Sequence, residues 1–183
     1  EYLGKSLLSS EEVTTKYSPS EYAMFVALGY QGLNSLRASK VAQAKEWGYE
    51  LVSYIAPEAR GLVECGPNSI IMDATAIQPC VKLGENVFVW GGAMIGHHAF
   101  LDDNCWITGT ASVGGVVKIG KNVFIGLNTT IGNEIEIGAN SMLGAGSLIT
   151  KNLAEGSVLV AKDTETHRLN SSQFIRFSSC FRT

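Results

Sequence analysis

The chain has 183 residues, a formal net charge of −3, and 20 glycines against only 4 prolines. Glycine stands above its ordinary share of about 7%, while charged residues fall below theirs of about 25%. An apolar share of 45% with so little net charge excludes disorder; glycine without a three-residue period excludes collagen; and no long apolar run or basic tract suggests a membrane span or nucleic acid.

From the N-terminus, Gly4-Lys5-Ser6 has the ending of a phosphate loop, but the upstream strand and glycine are missing and the match is set aside. The start at Glu1 rather than Met reads as a fragment or a trimmed product, and no secretory signal is visible. Ser10 with Glu11 and Glu12 opens a short helix. Residues 23–28 (AMFVAL) form a buried strand, and Gly29-Tyr30-Gln31-Gly32 a turn. Asn34 is the expected N-cap of a helix running to about Trp47, with Leu36, Val41, Ala44 and Trp47 on its inner face. Gly48 stops that helix, and 51–55 returns as a strand, completing a βαβ unit.

Beyond it the pattern changes period. Stepping by six from Ile71 to Ile149 meets fourteen positions, all Ile, Leu or Val. The next position is glycine eight times, and the fourth position after each of the first thirteen aliphatics is small or β-branched. A period of six fits neither a helix nor plain strand alternation; it fits a solenoid with six-residue sides. Asn68, Asn86, Asn104, Asn122 and Asn140 recur every 18 residues, preceded two residues earlier by Gly or Asp. Asn and Gly tolerate the left-handed backbone of a tight corner. The coil therefore has three sides, its aliphatics point into a triangular prism, and fourteen hexads make nearly five coils.

The stretches LGENVF (83–88), IGKNVF (119–124), IGANSM (137–142) and LGAGSL (143–148) read aliphatic, Gly, two free positions, small residue. In this the chain resembles the hexapeptide-repeat acyltransferases, over residues 55 to about 160. That resemblance implies a mainly β fold, a left-handed parallel β-helix, which departs from the right-handed rule for crossovers. A strand-turn-helix unit followed at once by such coils looks like the bacterial nucleotide-sugar and sialic-acid acetyltransferases. In them the α/β part holds the nucleotide and the β-helix transfers the acyl group. The implied organisation is a small α/β nucleotide-sugar-binding segment (1–54), a β-helix acyltransferase domain (55–160) and a C-terminal tail (161–183). The first segment reads as incomplete, because the family's opening strand and glycine-rich turn do not appear.

Three histidines stand at His97, His98 and His167. His97 and His98 fill the free positions of a hexad, so they face outward at a corner and contribute nothing to the core. Histidine suits the proton transfer that acyl transfer from a thioester needs; two solvated corner histidines are the bland alternative. The resembled family carries its base at this hexad position, which implies His97, with His98 where a carboxylate often follows. Either His98 meets the substrate, or Asp102 or Asp103 orients the ring; the acid pair equally makes a plain turn. Metal binding is not expected, because a β-helical zinc site needs three histidines.

For acetyl-coenzyme A as co-substrate, the family positions correspond to Gly126, Asn128, Gly144, Ala145, Gly146 and Lys151, with Lys162 and Arg168 as weaker phosphate contacts. Each of these glycines also suits a corner. Many relatives close with a Gly-x-Pro-Ala motif that is absent here. Gly29 and Tyr30, at a helix start that suits anions, and Trp90, one hexad before the base, are the substrate-binding expectation. Cys65, Cys80, Cys105 and Cys180 form no CxxC pair and read as thiols in a reducing cytoplasm. The low charge and flat sides favour association, and the resemblance implies a homotrimer with sites at the seams. The reading is an acetyltransferase acting on an amino group of a nucleotide-linked sugar, for surface polysaccharide such as lipopolysaccharide O-antigen. The alternatives are O-acetylation of a sugar or sialic acid, and a non-catalytic assembly module.

Overall fold

The structure, a computed structural model, describes residues 3–4 and 7–179. Cys180 and the Lys5-Ser6 pair lie outside the described residues.

The six-residue period produces three parallel sheets wound around one core. The first face stacks Tyr54–Ile55, Ile70–Ile71, Phe88–Val89, Trp106–Ile107, Phe124–Ile125, Met142–Leu143 and Val158–Leu159. The second stacks Val63–Cys65, Val81–Leu83, Phe100–Leu101, Lys118–Ile119 and Glu136–Ile137. The third stacks Ala76–Ile77, Met94–Ile95, Ser112–Val113, Thr130–Ile131 and Leu148–Ile149. Each strand pairs in parallel with the one a coil away, Phe88 with Trp106 and Val89 with Ile107 for instance. The hexad aliphatics and the small residues four places on form one continuous core. The first face has more strands than the strict repeat predicts, because Tyr54–Ile55 and Val158–Leu159 extend the stack beyond it.

The corners divide two jobs that the sequence reading merged. The third position after every aliphatic from Ile71 to Leu143 has a positive φ: Asn86 at 59°, Asn104 at 62° and Asn122 at 58° are examples. The glycines directly after the aliphatics are needed for a different reason. A Cβ on Gly96 would lie 2.5 Å from the carbonyl carbon of Gly114, and one on Gly126 2.5 Å from the amide of Ala145. These glycines permit coil-on-coil approach and do not supply the left-handed corner.

The flanking α/β segment packs on the first face. Helix α1 (Ser10–Lys16) is capped by Ser9, whose amide donates to the Glu12 carboxylate in a capping box, so the cap lies one residue before Ser10. The expected strand 23–28 is reduced to a single parallel bridge, Met24 with Leu51, while Val26 packs with Val41, Ala44 and Leu51. The strand expected over 51–55 divides, since Tyr54–Ile55 already belongs to the prism. Helix α2 (Ser35–Glu46) ends as expected at Gly48, with Gly48 N–H on Lys45 and Tyr49 N–H on Ala44. Its start differs from expectation: Asn34 is left-handed (φ 69°) and makes no side-chain cap. Its inner face differs too, since Leu36 is exposed and Arg37 is buried instead. The tail runs exposed to helix α3 (Ser171–Ser179).

Candidate active site

Two corners of the prism carry the residues with chemistry. The corner between the third and second faces carries His97 and His98. Both rings are exposed, and their Nδ1 atoms lie 3.2 Å apart. One nitrogen of that pair must donate and the other accept. The tautomer in which His97 Nδ1–H donates leaves its Nε2 as a free base. Gln78 Oε1 accepts from the His97 amide at 2.9 Å, tying the base to the preceding coil. On the following coil lies Gly115, where a Cβ would come 2.6 Å from His97 Nε2 and 2.7 Å from Cε1. The imidazole thus lies against a residue without a side chain. Gly115 N–H in turn donates to Asn133 Oδ1 at 2.8 Å. Neither Gly115 nor Gln78 was expected from the sequence; the doublet Gly114-Gly115 one coil after the histidine pair was the available signal.

Asp102 and Asp103 do not reach this corner. Asp103 accepts from Lys121 Nζ at 2.8 Å and from the Glu85 amide at 2.9 Å. Burial alone would raise the Asp103 carboxyl, but these two donors hold it below the ordinary carboxylate range. The pair fastens the next corner, and His98 is the ring's neighbour. His167 lies in the tail against Phe174.

The corner between the first and third faces carries Trp90, Gly126, Asn128, Gly144, Ala145 and Gly146. Here an open groove of about 400 Å³ is lined by Tyr30, Trp90, Trp106, Thr108, Leu127 and two glycines. Tyr30 packs on Trp106 (5.5 Å between ring centroids) and Phe124 (4.6 Å), and Trp90 lies 5.4 Å from Trp106. The indole N–H of Trp90 is buried without a partner among the described residues. The structure therefore joins Tyr30 and Trp90 in one groove, beside the Gly126–Asn128 corner. Gly29 stands behind it, its carbonyl held by Arg37. The helix-start amides are already bonded, those of Asn34, Ser35 and Leu36 to the carbonyls of Tyr30, Gly32 and Gln31, so they do not wait for an anion. Lys151 is on the histidine corner instead, three coils beyond His97. Lys162 and Arg168 are exposed in the tail.

Arg37 is the residue sequence reasoning missed altogether. It is fully buried, and its guanidinium donates to Asn86 Oδ1 at 2.9 Å and Asn34 Oδ1 at 3.0 Å, and to backbone carbonyls of Gly29, Asn86, Asn104 and Cys105. It also covers Phe88 and Trp106, with its central carbon 4.4 and 5.1 Å from the ring centroids. Burial lowers its pKa to about 10, so it stays charged at neutral pH. The available signal was the column Ile70, Phe88, Trp106, Phe124, Met142, large apolar residues at outward positions of one face only.

Among the described residues, no group of three or more His, Cys, Asp or Glu is arranged to hold a metal, and no helix is long and apolar enough to cross a membrane. Residues 117–151 match the family model for bacterial transferase hexapeptide (six repeats). Compared by sequence, the chain matches no curated protein. By structure it is similar to perosamine N-acetyltransferase from Caulobacter crescentus, solved with CoA and GDP-perosamine: 24% identity, 81% of this chain and 70% of that one, TM-score 0.75. It is similar to the acetyltransferase domain of PglB from Neisseria gonorrhoeae: 24% identity, 85% of this chain and 76% of that one, TM-score 0.76. WeeI from Acinetobacter baumannii aligns at 18% identity over 70% of this chain and 64% of that one, TM-score 0.61. The chain thus carries the bacterial transferase hexapeptide repeat and has the left-handed parallel β-helix fold of these acetyltransferases.

Proposed function

We propose that the chain is an acetyltransferase that moves an acetyl group from acetyl-coenzyme A to an amino group of a nucleotide-linked sugar, for surface polysaccharide assembly. The observation that carries this reading is His97, an outward imidazole with Nδ1 tied to His98 and Nε2 unbonded among the described residues. It supplies nothing to the fold and suits a proton transfer. The similar protein solved with CoA and GDP-perosamine supports the substrate class.

In this reading the acceptor nitrogen attacks the thioester carbonyl carbon while His97 Nε2 takes its proton. The C–N bond forms, the tetrahedral intermediate collapses, and the C–S bond breaks. The leaving thiolate receives the proton from His97, so free coenzyme A and the acetamido sugar balance the equation. His98 accepts from His97 Nδ1 and steadies the tautomer, without the negative charge a carboxylate would bring. Gly126, Asn128, Gly144, Ala145 and Gly146 would follow the pantetheine arm, and Lys151 would meet a phosphate. Tyr30 and Trp90 would hold the sugar nucleotide, the aromatic groove supplying a stacking surface, with Gly29 and the rest of residues 1–54 as its frame.

The histidine corner and the aromatic groove are different corners of one prism. A site that uses both needs a second copy, which supports the homotrimer. The third face supports it as well. Its outward residues Ala76, Met94, Ser112, Thr130 and Leu148 carry no charge, and Leu148 is 70% exposed, whereas the second face carries the ion pairs Lys82–Glu64 and Lys118–Glu136. The coenzyme A co-substrate supports a cytoplasmic location.

The test is release of coenzyme A thiol with a panel of UDP-, dTDP- and GDP-linked amino sugars. Transfer to an amine, lowered at least a hundredfold in His97→Ala, is expected. Transfer only to hydroxyl acceptors would replace the reading with O-acetylation. No turnover and no coenzyme A binding would replace it with a non-catalytic module.

A further inference from the structure

Left-handed backbone is required at every corner, but the three corners meet that need differently. The corner between the second and first faces uses Asn at 68, 86, 104, 122 and 140. The groove corner uses Gly92, Asn128 and Gly146, with Ala74 and Thr110. The histidine corner uses Cys80, His98, Val116 and Glu134, without one Asn or Gly. Left-handed backbone costs least in Gly, Asn and His, and a β-branched residue there is a true outlier. Val116, at φ 61°, is therefore the most strained of this corner.

The corner geometry needs this backbone, but the Val116 side chain does little to offset its strain. Val116 is 43% exposed, so it adds little to the core, which its neighbour Val117 enters fully. Thr110, the other β-branched corner residue, is different: its hydroxyl bonds Asn128 Oδ1 at 2.6 Å. A valine side chain has no such bond to make. Strain that folding does not repay points to function.

The position says which function. Val116 follows Gly115, the residue against the His97 ring, and its amide donates to the His97 carbonyl at 2.8 Å. It occupies the corner place one coil after His98. An apolar, branched residue thus follows the one that lies against the base, where the group being transferred is itself a small apolar methyl. We propose that Val116 is a specificity-determining residue that bounds the acyl end of the thioester, selecting acetyl over longer acyl groups.

The inference rests on the acetyl-transfer reading, and the experiment separates the two. Wild type, Val116→Ala and Val116→Asn are assayed with acetyl- and propionyl-coenzyme A on one amino-sugar acceptor, and their thermal midpoints are measured. Removing the branch is expected to raise the propionyl-to-acetyl ratio of kcat/KM about tenfold, the size of a methylene's discrimination. Val116→Asn, the residue the chain uses at its relaxed corners, is expected to raise Tm by about 2–4 °C. Wild-type transfer with an unchanged ratio in both variants would overturn the role of Val116 alone. A lower Tm in Val116→Asn would overturn the strain on which it stands. Absence of transfer by the wild type would overturn the acetyl-transfer reading, and this inference with it.

Discussion

Gly115 is a small residue with a large expected consequence. Its backbone does not need glycine, because its φ is not left-handed, but the His97 ring occupies the space a Cβ would take. Gly115→Ala is expected to keep the fold and displace the imidazole, lowering kcat by about tenfold to a hundredfold. Matching Tm values with lowered kcat would be the supporting outcome; unchanged kcat would contradict it. Asp103 makes a second residue-scale prediction. Its folded pKa is depressed, so its stabilisation is complete above the unfolded value of about 4 and is lost as pH falls through the folded one. Asp103→Asn should therefore melt below wild type at pH 7, and the gap should close as pH falls below the ordinary carboxylate range. A gap independent of pH would argue against it. At this scale the sequence was informative wherever chemistry repeats: the five corner asparagines and the buried aliphatics are legible from period alone. What it hid was proximity between coils. Gly115 is 18 residues from His97, and only stacking makes them neighbours.

At the scale of elements, the α/β segment is fastened through one buried cation. Arg37 satisfies its donors on the carbonyls and asparagine oxygens of the corner it covers, and no carboxylate balances it among the described residues. It also holds the turn that aims Tyr30 at Trp106. Arg37→Ala removes these charge-assisted bonds, and among the described residues only Asn86 Oδ1 and the Cys105 carbonyl keep another donor, Asn68 Nδ2 and the Phe88 amide, so the loss is on the order of 3 kcal/mol. The expected result is proteolysis within residues 7–53 while the prism stays intact; resistance equal to wild type would contradict it. Helical spacing placed the helix and its buried Val41 and Ala44 but misplaced Leu36, because it assumed a wholly apolar inner face. Here the covered surface is a row of polar corners and aromatic rings, so an arginine with a fork of donors and a flat face fits where Leu36 does not.

For the whole molecule, the three faces have three characters. The first is aromatic and covered by residues of the α/β segment, such as Phe25 and Tyr30. The second is laced with ion pairs, and the third is uncharged and bare. The prism itself was legible, since six-residue and 18-residue periods determine sides and corners. The division of labour among faces was carried by the outward residues, which do not follow the repeat. Introducing charge on the bare face, as Leu148→Glu, should reduce the proposed trimer to monomer mass by light scattering. An unchanged mass would move the seam elsewhere.

The most direct test of a site built between chains is complementation. The proposed trimers are assembled from equal amounts of His97→Ala and Tyr30→Ala chains, each expected to be inactive alone. Random assembly places an intact histidine corner against an intact groove at about a quarter of the seams, so about a quarter of wild-type acetyl transfer should return. Mixed trimers as inactive as their parents would contradict the account.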